Sequence, residues 1–116
     1  MGYEIWHNPR CSKSRAALAL LEDAGVEVVV RRYYDDPPTA EQLDRVLLAL
    51  GMAPEELARM GEPIAQELDL ANAGFPRDAW LRVLTENPIL IERPIVIAPN
   101  GAAVLGRPPE NVLDLL

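Results

Sequence analysis

The stretch "YEIWHNPRCSKSRAALALLEDAGVEVVVRRYY", residues 3–34, changes periodicity twice around a single thiol. Tyr3 to Trp6 is short and rich in strand formers, and Asn8-Pro9 reads as a turn. From Ser12 to Ala24, Ala17, Leu18, Leu20 and Leu21 fall at helical spacing, and Gly25 ends the helix as its C-cap. Val26 to Tyr34 is β-branched and aromatic, and the run Val28, Val29, Val30 predicts a strand buried on both faces. Strand, helix and strand within the first 34 residues is the length of a βαβ unit.

Working outward, Pro37-Pro38 breaks the chain, and Thr39 followed three residues later by Gln42 forms a capping box for a helix carrying Leu43, Val46, Leu47 and Leu50, closed by Gly51. A short helix is expected from Pro54 to about Met60, and another from Pro76 to Glu86 with Ala79, Trp80 or Leu81, and Leu84 facing inward. Beyond Asn87-Pro88 the pattern becomes Ile95 to Ile97, a Pro99-Asn100-Gly101 turn and an apolar strand from Ala102 to Leu105. Pro108-Pro109 opens a last helix through Val112, Leu113 and Leu116. The order β, α, β, several helices, β, β, α, with a cysteine at the first strand-to-helix junction, is the layout of a thioredoxin-like α/β fold: a mixed four-stranded sheet with a helical insert over about residues 39–86, in one domain spanning 1–116.

The bulk numbers narrow the function. A chain of 116 residues buries roughly two thirds of the surface its unfolded form exposes, so a core without disulfides is expected, and one cysteine makes no intramolecular bridge. The opening MGYEIWHNPR has neither a basic nor an apolar signal region, which reads as a reducing, cytoplasmic setting. The apolar runs fall far short of the about 20 residues a membrane helix requires. A net charge of −7 argues against binding nucleic acid, so any bound anion must be met by local positive charge. Ten of the eleven basic residues are arginine, which suits oxyanion recognition only where position supports it; Arg31, Arg32, Arg45, Arg77 and Arg82 read as solvated or weakly ion-paired.

Position does support a reactive thiol. An ordinary cysteine is a poor nucleophile at pH 7, but a helix N-terminus and nearby cations lower its pKa to about 3.5–7.5. Cys11 lies where the first helix begins, facing its free N–H groups and the positive end of its dipole. Arg10, Lys13 and Arg15 add charge in the same turn, and His7, if protonated, adds more from the end of the preceding strand. Other cysteine chemistries fail on spacing. A C-x5-R phosphatase loop needs arginine where Ala17 stands, a C-x-x-C dithiol needs cysteine where Ser14 stands, and a zinc site needs more than one Cys and one His. Whatever Cys11 becomes covalently, an external thiol must reverse.

The string His7-Asn8-Pro9-Arg10-Cys11-Ser12-Lys13-Ser14-Arg15 resembles the active-site segment of the glutaredoxin-coupled arsenate reductase family, which has a thioredoxin-like fold with a helical insert. "DDPPT" at 35–39, "LAR" at 57–59, "NPILIERPIVI" at 87–97 and "LGRPPENVLDLL" at 105–116 resemble its successive landmarks, so the likeness covers nearly the whole chain. The resemblance implies Cys11 as nucleophile, His7 as an aid to its ionisation, and Arg59, Arg93 and Arg107 as holders of the oxyanion. Pro94 matches the proline that takes a cis bond opposite the cysteine in such folds. The implied partners are arsenate, glutathione as co-substrate and glutaredoxin, with no metal, flavin or nicotinamide. The chemistry is coherent, because a thiolate attacking a tetrahedral oxyanion brings two negative charges together and cations must offset the repulsion. Two other readings share the fold: a glutathione-dependent thiol transferase, against which the three arginines argue, and an Spx-like redox-sensing binding module, against which Ser14 argues in place of a second cysteine.

Overall fold

The β-branched and aromatic run at the start of the chain does form a strand, and the helical spacing after it does form a helix. In the computed structural model, which describes residues 2–116, these are β1 (Tyr3–Trp6) and α1 (Ser12–Asp23), followed by β2 (Val28–Arg31). Then come α2 (Ala40–Leu50), α3 (Pro54–Leu57), α4 (Pro63–Glu67), α5 (Arg77–Glu86), β3 (Ile95–Ile97) and β4 (Ala103–Leu105). Leu70–Asn72, Pro88–Leu90 and Pro109–Leu115 form 3-10 segments.

The chain divides into two compact units. One runs up to Asp36 and resumes over Arg93–Leu116; the other is Pro37–Glu92. In the first, a mixed four-stranded sheet has the order β2-β1-β3-β4, with β1 parallel to β2 and antiparallel to β3, and β3 antiparallel to β4. Ile5 pairs with Val30 on one side and Val96 on the other. Ile5 and Val96 are wholly buried against Ala17 and Leu21 of α1 and Val112 of the C-terminal 3-10 segment. Ser14 lies three residues before Ala17 on that same inward stripe of α1. The packing that anchors the helix therefore also fixes its first turn.

In the second unit, α2 and α5 pack through Leu43, Val46 and Leu47 against Trp80, Leu81 and Leu84. The capping box at Thr39 makes both reciprocal bonds, with Gln42 N–H donating to Thr39 Oγ1 at 3.1 Å and Thr39 N–H to Gln42 Oε1 at 3.0 Å. Gly51 closes α2 in the left-handed conformation at φ 68°.

Four expectations need correction. β2 is not buried on both faces: it is an edge strand, and Val29 and Val30 are 54% and 45% exposed. The terminal helix is 3-10 rather than α, and Leu113 and Leu116 face outward while Val112 is buried. The helix at Pro54 stops at Leu57 because the chain turns extended at Ala58, which bridges to Ile91. Gly25 follows the C-cap, Ala24, rather than being it, and takes the left-handed φ of 75°.

Candidate active site

Cys11 stands at the N-cap of α1, with extended backbone at φ −91° and ψ 120°, and is half-buried. Serine, threonine, aspartate or asparagine usually fills this position, where a side-chain oxygen accepts the free N–H groups of the first turn. Here the group is a sulfur. Burial works against the thiolate, but the N–H of Ser14, a hydrogen bond from the Arg93 side chain, the N–H of Lys13 and the charge of Arg93 together hold the Cys11 pKa below its ordinary value. The effect on Arg93 is the reciprocal one. Burial opposes its charge, whereas Tyr33, Tyr34 and the Cys11 sulfur favour it, and its pKa is raised.

The loop before Cys11 is fixed by its own polar groups. Asn8 Oδ1 accepts the N–H of Arg10 at 3.0 Å, Asn8 C=O accepts the N–H of Cys11 at 3.0 Å, and Arg15 Nη1 donates to Pro9 C=O at 2.8 Å. Ser14 is completely buried; its Oγ lies 2.7 Å from His7 Nδ1 and accepts the Asn8 N–H at 3.1 Å. His7 is itself buried, and burial, with Arg32 and Arg15 nearby, pushes its pKa down. Near pH 7 the ring is therefore neutral and adds no cation beside the thiol. Its visible contact is the bond to Ser14.

The bond between Arg93 and Pro94 is cis, as is that between Arg107 and Pro108, which the sequence did not signal. Arg107 Nη1 donates to Arg93 C=O at 3.1 Å, so Cys11, Arg93 and Arg107 come together within the first unit. Arg59 belongs to the second unit, where it is held by carboxylates: Nη1 is 2.6 Å from Glu92 Oε1 and Nε is 3.4 Å from Glu62 Oε1.

Gly106 was missed. A Cβ there would stand 2.7 Å from Pro94 Cγ and 3.2 Å from Val112 Cγ1, while the Gly106 N–H donates to Pro94 C=O at 2.8 Å. Only a residue without a side chain lets β4 lie this close behind Pro94. Glycine between Leu105 and Arg107, just past a strand, is the sequence signal of close backbone approach. Among the described residues, no group of three or more His, Cys, Asp or Glu side chains is placed to hold a metal ion.

The ArsC family model matches residues 6–115. The chain belongs to the ArsC family. It is 46% identical over 114 residues to an arsenate reductase of Neisseria meningitidis serogroup A, covering 97% of each chain. It is 38% identical over 112 residues to an arsenate reductase of Escherichia coli, with 97% of this chain and 79% of that protein covered. The structure of an arsenate reductase from Vibrio cholerae superposes with a TM-score of 0.94 at 44% identity, covering 100% of this chain and 98% of the other. This ArsC member shares the thioredoxin-like α/β fold with that neighbour.

Proposed function

We propose that this chain reduces arsenate to arsenite with electrons from glutathione. The reading is carried by one observation: a half-buried cysteine at a helix N-cap whose thiolate is favoured by backbone N–H groups and by Arg93. The Cys11 thiolate attacks arsenic(V) and displaces an oxygen as water or hydroxide. A glutathione thiolate then joins the Cys11 sulfur, the two sulfurs together give two electrons to arsenic, and arsenite leaves. Cys11 remains as a mixed disulfide. With no second cysteine in the chain, glutaredoxin is assigned to clear it.

In this reading Arg93 and Arg107 hold the oxyanion. Their support is the Arg93 bond to Cys11 and the Arg107 bond to Arg93. Arg59 is assigned to the same anion from the family likeness alone; in the second unit it is paired with Glu92 and Glu62. His7, Ser14 and Arg15 position the thiol loop, and Pro94 lines it. The chain is read as one functional domain acting in the cytoplasm.

The test is arsenate-dependent oxidation of glutathione in the presence of glutaredoxin. Activity should vanish in Cys11→Ser. Arg107→Ala should lose about 2–4 kcal/mol of transition-state stabilisation, with lysine a poor substitute for the two-pronged guanidinium. Turnover persisting in Cys11→Ser, or arsenate reduction as intact in Arg107→Ala as in Arg82→Ala, overturns the assignment.

A further inference from the structure

The loop that ends in Cys11 forms one wall of a cavity of about 250 Å³, whose lining includes His7, Asn8, Arg10, Arg32, Tyr34 and Asp35. The cavity is contiguous with the thiol loop, because Asn8, one of its lining residues, accepts the Cys11 N–H through its carbonyl. Its size is below the roughly 300–1,000 Å³ of a site enclosing a whole small molecule, so it suits one end of a ligand whose other end lies at the thiol.

The charges define that end. In a chain of net charge −7, this cavity presents two arginines against one aspartate. Arg32 and Asp35 form a loose pair, Nε to Oδ2 3.7 Å apart, with both side chains well exposed. Such a pair is worth little by itself, so exchanging partners with a ligand costs little. An α-amino acid head offers the complementary set in one compact group: a carboxylate for Arg32 and an ammonium for Asp35. Arg10 supplies a further cation, and Asn8 and Tyr34, joined by a bond of 3.4 Å from Asn8 Nδ2 to the Tyr34 hydroxyl, supply neutral donors and acceptors.

We propose that this cavity is the binding site for the zwitterionic γ-glutamyl head of the thiol co-substrate, with Arg32 on its carboxylate and Asp35 on its ammonium. The inference rests on glutathione as the co-substrate but not on arsenate as the substrate. Such a site selects an anionic thiol over a smaller neutral one in a protein of net charge −7.

The test needs no arsenate. The Cys11 thiolate attacks one sulfur of glutathione disulfide, a Cys11–glutathione disulfide forms, and one glutathione thiolate leaves and takes a proton from water. The same reaction with uncharged hydroxyethyl disulfide has no γ-glutamyl head to bind. The readout is the ratio of the two second-order rate constants, followed by intact mass. Arg32→Gln and Asp35→Asn should each lower that ratio by about five-fold, the scale of one exposed charge contact, while Arg82→Gln keeps it. A ratio unchanged in both cavity variants overturns the site, including the case in which both rates fall together, which would place the effect on the thiol. Absence of arsenate reduction in the parent chain, with the ratio still dependent on Arg32 and Asp35, would overturn the proposed substrate and leave the cavity assignment standing.

Discussion

Replacing Arg93 with alanine removes from Cys11 a side-chain hydrogen bond and a positive charge at one stroke, while the N–H groups of Ser14 and Lys13 remain. A hydrogen bond to a charged group contributes about 1.5–3 kcal/mol net. Cys11 is only half-buried, so solvent screening leaves roughly half of that. About 1 kcal/mol of preference for the thiolate is therefore lost with Arg93, and the thiol pKa should rise. The assay is the rate of iodoacetamide alkylation as a function of pH. The midpoint should move up, the rate well below the midpoint should fall a few-fold, and the plateau at high pH should hold or rise, because a more basic thiolate is the better nucleophile. A midpoint that does not move would refute the reasoning, since the guanidinium would then be contributing nothing to the anion. Arg82→Ala, an exposed position on α5, provides the control.

Gly106→Ala forces a methyl to within 2.7 Å of the Pro94 ring, and should destabilise the chain by about 1–3 kcal/mol in a urea titration, with slower alkylation of Cys11 as Pro94 shifts. The pKa of His7 is depressed, so its contribution to stability is present above the unfolded value of about 6.5 and is lost as pH falls through the lower folded value. Thermal melts of His7→Gln should accordingly show a shallower decline on the acid side than those of the parent chain. Glu92→Gln should loosen Arg59, lowering the KM for arsenate while changing stability by less than about 1 kcal/mol, because the ion pair is partly exposed; an unchanged KM would separate Arg59 from the oxyanion.

What the sequence displayed were the features that local chemistry decides. The βαβ opening, the Thr39–Gln42 capping box and the turn at Asn100-Gly101 each need only neighbours in the chain, and each formed as expected. Cys11 was legible for the same reason, since its position against α1 is set within a few residues. Burial is not local. Three consecutive valines look alike on an edge strand and a central one, and only the order β2-β1-β3-β4 exposes Val29 and Val30. The charge state of His7 was left open through the same gap, because nothing nearby in the sequence says that the ring will be buried and bonded to Ser14. The last segment winds as a 3-10 helix, with Asn111 Nδ2 tethering it to the carbonyls of Leu105 and Arg107 at 3.3 Å, a constraint that an apolar pattern does not carry.

The outward-facing valines of β2 have a bearing on handling as well as on folding. An uncovered strand edge offers unpaired backbone groups to any other chain that can lie alongside, and apolar side chains there strengthen the invitation. The hazard is blunted here by the brevity of β2, four residues, and by Arg31, which crosses the Trp6 ring at 5.7 Å and pairs with Asp36, placing charge where a zipping strand would have to continue. Val29 and Val30 are therefore the apolar side chains through which this sheet edge would meet another strand. Val29→Lys, at a position already 54% exposed, puts a charge on that edge while leaving the residues around the reactive thiol unchanged.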